Sequence, residues 1–380
     1  MSVKYKNIAL VCMMMAVIFG FSVWCILKPQ DEFSDSERRA LAAFPELSLE
    51  SVLREDTEES FMRLFEEYSL DQFPLRDTFR RLKSVAAYYV FGRMDNNGIY
   101  LEDGYAAKLE YPLNEASLDF AAKKFRTIYE RFLKGTDANV YTCVIPDKGY
   151  FLAEENGYLS MDYEQFFALF REKTGFAEAI DIADTLEISD YYRTDTHWRQ
   201  EKLAETAKTL AAGMDTALAS TCEERVLDHP FYGVYYGQSA LPLEAEEIRY
   251  LVGDFMADCT VYDHQNGREV GFYDMEKAVG KDPYEMFLSG NLSVVTIENP
   301  NATTEKELIV FRDSFGSSLI PLLAEGYRKI TVVDIRYIQS ANLQVLRDQR
   351  TGKPLVDFAN ADDVLFLYST LVLNNSGTLR

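Results

Sequence analysis

Two short stretches of the sequence hold side chains that could form an acyl-transfer site. Asp195, Thr196 and His197 precede a helical pattern, and Ser314 follows directly after the apolar run of residues 307–313. A serine hydroxyl is a poor nucleophile near neutral pH unless a base lies within hydrogen-bonding reach and a third group orients that base. Of the three histidines, His197 alone has an aspartate two residues upstream. We therefore expect Ser314 to be the nucleophile, His197 the base and Asp195 the orienting carboxylate.

Each stretch also has a purely structural interpretation. Ser314 could do no more than cap the helix predicted after it, as serines at such positions often do. Asp195 or Thr196 could equally cap the following helix while His197 stays idle in solvent. Residues two apart on a regular helix face different directions, so Asp195 reaches His197 only if a turn precedes the helix. Either stretch taken alone leaves both interpretations open.

Strands and helices alternate along most of the chain. Apolar runs predict buried strands, and apolar residues at three- and four-residue intervals predict helices between them. The strands are expected at residues 139–148, 307–313, 329–336 and 363–370, and helices at 118–135 and 163–175. This alternation predicts an α/β fold, a mostly parallel sheet with helices on both faces. Such sheets bind ligands at the carboxyl ends of their strands, which is where Ser314 is expected.

The N-terminus predicts a membrane anchor. Residues 8–27 carry no charge and, as a helix, are long enough to cross a hydrocarbon core about 30 Å thick. Lys4 and Lys6 precede this run and acidic residues follow it, so the positive-inside rule predicts a cytoplasmic N-terminus and an extracytoplasmic remainder. No small-residue cleavage site follows the apolar run, which favours an uncleaved, single-pass signal anchor.

The rest of the chain divides into two further parts. We interpret residues 1–28 as the cytoplasmic tip and anchor, residues 29–95 as a juxtamembrane helical segment and residues 96–380 as the main domain. Two amphipathic helices are expected, one before and one after Pro74, because proline disfavours helix in the residue before it. Residues 222–300 fit the strand and helix alternation less well, and we interpret them as an insertion or a substrate-facing subdomain.

Composition excludes some functions. The net charge of −22, from 61 acidic and 39 basic residues, should repel nucleic acid, so no nucleic-acid partner is expected. The three histidines are far apart in sequence, so neither a metal site nor another cofactor is predicted. Cys143, Cys222 and Cys259 lie beyond the anchor, and this odd number allows at most one internal disulfide.

Three motifs, taken together, resemble a known family. "DTHW" (195–198), "RDSFG" (312–316) and "DIRY" (334–337) are similar to motifs of the DHHW proteins and of the alginate O-acetyltransferases of bacterial surfaces, whose domain is SGNH-hydrolase-like. "FSDSERRALAAFPELS", "YSLDQFPLRD" and "VIPDKGYFL" are similar to the same group, so the resemblance spans nearly the whole chain after the anchor. It implies a flavodoxin-like sheet, Ser314 as nucleophile, and Asp195 and His197 as its partners.

The sequence departs from the family pattern at two places. Thr196 stands where the DHHW group has a histidine, a position that the alginate-type pattern leaves open. Ser314 follows Arg312 and Asp313 and so lacks the GDS signature of SGNH hydrolases, which leaves the oxyanion hole without a motif. The serine also follows the histidine in the chain, but the same triad geometry recurs in several chain orders.

Further residues could complete the site. The backbone N–H groups of Ser314 or Gly316 could hold an oxyanion, helped by a side-chain donor. For each remaining residue, contact with an acyl group or sugar competes with an ordinary structural role. That role is an ion pair for Arg336 and packing for Trp198. It is a polar turn for the two asparagines and an aromatic core for the tyrosines. These residues are Trp198, Tyr235, Tyr236, Arg336, Tyr337, Asn374 and Asn375.

The resemblance implies a membrane-anchored, extracytoplasmic O-acetyltransferase that modifies a cell-surface polysaccharide through an acyl-serine. Acetyl-CoA is cytoplasmic, so a membrane-bound O-acyltransferase is the expected supplier of acetyl groups. The same residues would serve a carbohydrate esterase, since water and a sugar hydroxyl are equivalent nucleophiles toward an acyl-enzyme. A non-catalytic polysaccharide-binding or assembly protein with the same fold is the third possibility.

Overall fold

A computed structural model of the chain describes residues 3–48 and 60–380. It divides into two compact units. The N-terminal unit contains the described residues up to position 96, together with residues 236–242. The second, which we call the sheet unit, contains residues 97–235 and 243–380.

The N-terminal unit is mostly helical. It begins with α1 (Val3–Leu27), a helix long and apolar enough to cross a membrane. The short strands β1 (Phe33–Ser34) and β2 (Arg39–Ala40) then pair antiparallel. The two helices predicted around Pro74 are present as α2 (Phe61–Asp71) and α3 (Arg76–Val85), and α3 continues into a wider helical turn at Ala86–Val90.

An eight-stranded sheet organises the second unit, in the order β10-β9-β11-β13-β12-β14-β5-β6. The strands β13, β12, β14, β5 and β6 run parallel, whereas β10, β9 and β11 are antiparallel to their neighbours. The strand bounds are β5 (Asn139–Ile145), β6 (Glu178–Ala179), β9 (Thr260–Asp263), β10 (Arg268–Val270), β11 (Val294–Glu298), β12 (Glu307–Arg312), β13 (Lys329–Val333) and β14 (Asp363–Ser369).

Helices cover both faces of this sheet, which confirms the predicted α/β class. Leu308 and Val310 of β12 point into a core that includes α7 (Ala204–Gly213) and α10 (Gly316–Leu323). Ile309 and Phe311 point into the opposite core, beneath α4 (Glu115–Ile128) and α6 (Tyr163–Lys173). Because successive residues of a strand face opposite sides, a strand buried on both faces reads as a continuous apolar run.

Smaller elements complete the sheet unit. Two antiparallel pairs lie outside the main sheet, β3 (Ile99–Glu102) with β4 (Tyr105–Lys108), and β7 (Cys222–Phe231) with β8 (Glu246–Gly253). The short helices are α5 (Lys148–Leu152), α8 (Val234–Ser239), which continues into the N-terminal unit, α9 (Met275–Ala278) and α11 (Thr370–Asn374). Residues 222–300 thus supply three strands of the main sheet, β9 to β11, and their predicted substrate-facing role stays a prediction.

Two helix bounds differ from the sequence prediction. The helix expected directly after His197 begins at Ala204, preceded by one 3-10 turn at Gln200–Lys202, so the Asp195 segment is a loop. The helix expected at 118–135 occupies Glu115–Ile128, followed by a wider turn at Tyr129–Leu133. Asn114 caps this helix by accepting a hydrogen bond from the Ser117 N–H, which explains its earlier start.

Candidate active site

Ser314 lies at the carboxyl end of β12, in the turn that leads into α10. The neighbouring residue Asp313 is fully buried and shapes this turn. One Asp313 oxygen accepts a hydrogen bond from the Phe315 N–H at 3.0 Å. The other accepts hydrogen bonds from the Ser369 N–H at 2.7 Å and the Ser369 hydroxyl at 2.6 Å. Since β12 and β14 are parallel neighbours, their ends meet here, and Asp313 ties the serine turn to the end of β14.

The structure brings together the three side chains expected to form a triad. His197 Nε2 lies 2.8 Å from Ser314 Oγ, and His197 Nδ1 lies 2.6 Å from Asp195 Oδ1. Asp195 is fully buried and His197 nearly so. The same Asp195 oxygen accepts the His197 backbone N–H at 3.0 Å, so a tight turn joins residues two apart in sequence. The arrangement allows Ser314 to pass its proton to His197 while Asp195 orients the ring.

Neither capping alternative describes the structure. The residue at the N-cap of α10 is Phe315, and no side chain caps this helix. The N-cap of α7 is Leu203, several residues beyond Asp195 and Thr196. Ser314 and Asp195 therefore direct their side chains to His197 and cap neither α10 nor α7.

Two charged side chains hold the loop that carries Asp195. Lys148 Nζ is buried and donates hydrogen bonds to the carbonyl oxygens of Tyr192 at 2.9 Å and Arg193 at 3.4 Å. The Glu246 carboxylate accepts the backbone N–H groups of Arg193 and Thr194, each at 2.7 Å. Burial lowers the pKa of Lys148 to about 7, although Asp195, Glu246 and Asp147 oppose the shift.

The second oxygen of Asp195 is held from the start of α8. Asp195 Oδ2 accepts the backbone N–H of Val234 at 2.7 Å. At Gly233 the backbone passes so close that an added Cβ would lie 2.3 Å from Asp195 Cα. Glycine is thus required at 233 for a steric reason. Both carboxylate oxygens of Asp195 accept hydrogen bonds.

Tyr284, which no sequence motif indicated, completes the surroundings of the imidazole. Its ring stacks on His197 with 3.9 Å between ring centroids and an interplanar angle of 8°. The Tyr284 hydroxyl lies 2.8 Å from Ser318 Oγ, which also accepts the indole N–H of Trp198 at 2.9 Å. Tyr284 belongs to a short 3-10 helix far along the chain from His197, so no local spacing could have indicated it.

Trp198 is packed between the histidine loop and the start of α10. It is fully buried, and its indole N–H donates to the Phe315 carbonyl at 3.1 Å as well as to Ser318. Gln200 Nε2 adds a hydrogen bond to the Ser318 carbonyl at 2.7 Å. Residues 198–200 therefore attach the histidine loop to α10, the helix that follows the serine.

The two expected backbone donors at the serine turn differ. Among the residues that the structure describes, the Ser314 N–H donates no hydrogen bond, so it is free to meet a substrate oxygen. The Gly316 N–H already donates to the Asp313 carbonyl at 3.1 Å. Gly316 has a steric role instead, since an added Cβ would lie 2.9 Å from the Arg312 Cβ.

The two asparagines are engaged elsewhere. Asn374 Nδ2 donates to Glu110 and to the Pro112 carbonyl, each at 3.2 Å, and its Oδ1 accepts the Asn114 N–H. Asn375 Nδ2 donates to the same Glu110 carboxylate at 3.0 Å. In the described ranges no hydrogen bond joins either amide to the serine turn, so the structure does not assemble them with the triad.

The remaining predicted residues are also placed. Arg336 forms a two-pronged ion pair with the fully buried Asp334, with nitrogen-to-oxygen distances of 2.9 and 2.7 Å. Tyr337 is 46% exposed. Tyr235 is buried, and its hydroxyl lies 3.0 Å from Thr196 Oγ1, whereas Tyr236 belongs to the N-terminal unit.

Metal ligands do not cluster in the parts of the chain that the structure describes. No group of three or more His, Cys, Asp or Glu side chains there could hold a metal ion. The chemistry available at the site is that of a hydroxyl, an imidazole, a carboxylate and a backbone N–H.

Solved structures share this fold. A DHHW family protein from Eubacterium siraeum DSM 15702 matches with a TM-score of 0.58 and 20% sequence identity, over 75% of this chain and 95% of that one. Bacillus cereus PatB1 with a sulfonyl adduct matches with a TM-score of 0.57 and 18% identity, over 72% of this chain and 95% of that one. The O-acetyltransferase domain of Pseudomonas putida AlgJ matches more loosely, with a TM-score of 0.45 and 14% identity over 73% of this chain and 92% of that one.

No family model matches the sequence, and no curated protein matches it either. At these identities the first two structures bear on the fold alone, and the third is too distant to add to the assignment. The chain therefore has the fold of the DHHW family protein and of PatB1, as its DTHW and RDSFG motifs predict.

Proposed function

We propose that this chain is a membrane-anchored, extracytoplasmic O-acetyltransferase that acetylates hydroxyl groups of a cell-surface polysaccharide through an acyl-serine intermediate. The proposal rests on one observation, the chain of hydrogen bonds from Ser314 Oγ to His197 Nε2 at 2.8 Å and from His197 Nδ1 to Asp195 at 2.6 Å. A serine joined in this way to an oriented base is an activated nucleophile. This geometry favours catalysis over a binding-only protein of the same fold.

In the first half-reaction, Ser314 Oγ attacks the carbonyl carbon of an acetyl donor while His197 takes the hydroxyl proton. Negative charge develops on the carbonyl oxygen, and the unoccupied Ser314 N–H stabilises it. When the tetrahedral intermediate collapses, the bond to the donor's leaving group breaks and His197 returns the proton to that group. Asp195 stabilises the imidazolium that exists between these steps.

In the second half-reaction, a sugar hydroxyl attacks the acetyl group on Ser314. His197 takes the proton of that hydroxyl and gives it back to Ser314 Oγ as the acyl-serine bond breaks. Water can replace the sugar hydroxyl with the same proton transfers, and with an acetylated polysaccharide as the acetyl donor the chain would then be a carbohydrate esterase. The resemblance to alginate O-acetyltransferases supports transfer.

The proposed location rests on α1. Lys4 and Lys6 at its start support a cytoplasmic N-terminus, with the residues after α1 on the extracytoplasmic side. An acetyl donor must then reach Ser314 from the cytoplasm, where acetyl-CoA is made. We therefore propose a membrane-bound O-acyltransferase as the partner that carries acetyl groups across, and we assign no cofactor to this chain.

The experiment uses the full-length protein in detergent with an aryl sulfonyl fluoride, because such reagents sulfonylate activated hydroxyl nucleophiles. PatB1 has been solved with a sulfonyl adduct, which makes this probe a natural choice. We expect mass spectrometry to find one adduct on Ser314, lost in Ser314→Ala and retained in Ser317→Ala, a matched change three residues further along, in the first turn of α10. Labelling that persists in Ser314→Ala would refute the assignment of the nucleophile.

Transfer is then separated from hydrolysis with an aryl acetate and an excess of acetyl-free oligosaccharide. We expect acetylated oligosaccharide as the main product, absent in His197→Gln. If free acetate is the sole product at saturating oligosaccharide, the esterase replaces the transferase.

A further inference from the structure

Helix α3 in the N-terminal unit turns its apolar side outward. Leu75, at its N-cap, precedes Phe79 by four residues and Leu82 by seven, so all three lie on one side of the helix. Their exposed fractions are 51%, 43% and 64%. We call these three residues the apolar stripe. The wider turn that follows α3 extends the exposed apolar surface with Tyr89, Val90 and Phe91.

Two arginines of α3 face inward, whereas its other charged residues, Asp77, Arg81 and Lys83, are exposed. Arg76 and Arg80 form ion pairs with Glu37 at 2.6 and 3.1 Å. One turn further, the buried hydroxyl of Ser84 accepts a hydrogen bond from Asn96 Nδ2 at 2.8 Å. A surface helix in water normally turns its apolar residues toward the core. An exposed apolar stripe flanked by exposed charges suits a helix at the boundary between water and something apolar.

The ion pairs that orient α3 come from the juxtamembrane motifs. "FSDSERRALAAFPELS" supplies Glu37 and Arg39, and "YSLDQFPLRD" supplies Asp71 and Arg76. Arg39 binds Asp71 through two nitrogens, at 2.8 and 2.6 Å, and its hydrogen bonds lower the pKa of the Asp71 carboxyl. Arg76 reaches both acidic residues, at 2.6 Å from Glu37 and 3.2 Å from Asp71. These motifs thus hold the stripe in a fixed orientation.

The stripe is continuous with the surface of α1. The Phe21 ring of α1 stacks on Phe73 at 5.6 Å between centroids and meets the edge of Phe79 at 6.0 Å. Phe21 precedes the end of α1 at Leu27 by six residues, which places it about 9 Å inside that end at 1.5 Å per residue. Interfacial helices bury their apolar side about 5–10 Å into the boundary between headgroups and acyl chains. With Leu27 taken as the level of the bilayer surface, the two depths agree.

We propose that the apolar stripe is embedded in the extracytoplasmic leaflet of the bilayer that α1 spans, so that α3 is an interfacial helix. The inference rests on the membrane location in the proposed function but not on the acetyl-transfer chemistry. A partner protein could also cover an apolar stripe. The contact of Phe79 with Phe21 favours lipid as the covering material. A side chain that touches the membrane-spanning helix α1 lies where lipid surrounds that helix.

The test measures lipid contact by tryptophan quenching in the full chain, reconstituted into pure phosphatidylcholine vesicles with or without bromine on the acyl chains. The chain has two tryptophans, Trp24 in α1 and the fully buried Trp198. Leu82→Trp in a Trp24→Phe background reports the stripe, and Phe79→Trp is a second reporter. Asp77→Trp is the matched control, because residue 77 lies about 200° around the helix from Phe79.

We expect brominated lipid to quench more than about half of the emission added by Leu82→Trp or Phe79→Trp, and little of that added by Asp77→Trp. The native protein, through Trp24, reports whether α1 is in the bilayer. If Trp24 is quenched while both stripe reporters are not, the stripe is out of the lipid and the proposal is wrong. If Trp24 is not quenched, the membrane location and this proposal fail together, whereas sulfonyl labelling of Ser314 in the same vesicles still tests the chemistry.

Discussion

Removal of the Tyr284 ring should slow the reaction of Ser314 while leaving the triad residues in place. The ring lies parallel to His197 at 3.9 Å between centroids, within a buried site. An aromatic face stabilises an adjacent cation by about 0.5–1 kcal/mol in exposed sites and about 2 kcal/mol when water is excluded. In the proposed mechanism the imidazolium forms only as Ser314 gives up its proton, so this attraction would lower the barrier and not the ground state.

The magnitude follows from the burial of the pair. A stabilisation of about 1–2 kcal/mol corresponds to about 5- to 30-fold in rate. We expect Tyr284→Leu to lower the second-order rate constant of Ser314 sulfonylation, and kcat/KM for an aryl acetate, by this factor. Tyr284→Phe keeps the ring and loses one hydrogen bond to Ser318, which Trp198 still contacts, so its rate should fall less than about threefold.

A control variant separates the effect of the Tyr284 ring on His197 from the effect of a cavity on stability. Tyr284→Leu leaves a cavity and should lower the unfolding free energy by about 2–4 kcal/mol. Phe231→Leu creates a comparable cavity in the same apolar cluster and should leave the labelling rate near that of the unmodified protein. Thermal unfolding of each variant verifies that it is folded at the assay temperature. Equal losses in Tyr284→Leu and Tyr284→Phe, or no loss in Tyr284→Leu, would refute the cation–π argument.

Two further predictions concern the supports of Asp195. Gly233→Ala would place a methyl group 2.3 Å from Asp195 Cα, so we expect Asp195 to shift. Labelling of Ser314 should then fall by about tenfold or more, toward the ~10⁴-fold loss that follows removal of a triad carboxylate's function. Unchanged labelling would show that the loop adjusts freely. Lys148 has a folded pKa of about 7 and an ordinary value of 10.5, so the unfolded chain binds the proton more tightly between these pH values. This group therefore makes stability rise with pH from about 7 toward 10.5 and contributes no further change below 7. The unmodified protein should therefore gain unfolding free energy relative to Lys148→Met as the pH rises above about 7. Denaturation of both proteins from pH 6 to 9 measures this difference, and a difference that stays constant with pH would contradict the lowered pKa.

Much of the site could be anticipated because its chemistry is local in sequence. Asp195 and His197 are two residues apart, and a turn is enough to join them. Ser314 ends a continuous apolar run, which marks a strand buried on both faces, and the carboxyl end of such a strand is where reactive side chains become accessible. The approximate positions of β5, β12, β13 and β14 were predictable for the same reason.

Other parts of the site depend on contacts between distant segments. Gly233 is constrained by Asp195, and Tyr284 by His197, and neither pair shares a helix or strand pattern. Asn374 and Asn375 had the right chemistry and followed a strand end, but Glu110 engages their amides. The antiparallel strands β9, β10 and β11 were also missed, since their short runs alternate with turns and carry no parallel-sheet signature.

The sequence by itself determined the apolar N-terminal helix, the α/β alternation and the identity of the three residues proposed to react. These follow from apolar periodicity and from the chemistry that only certain side chains provide. The tertiary structure decided how the parts face each other: which ring stacks on His197, which N–H remains open at Ser314, and that α3 turns its apolar stripe outward. Such choices depend on packing and on competition for hydrogen-bond partners between distant segments, and a linear pattern carries neither.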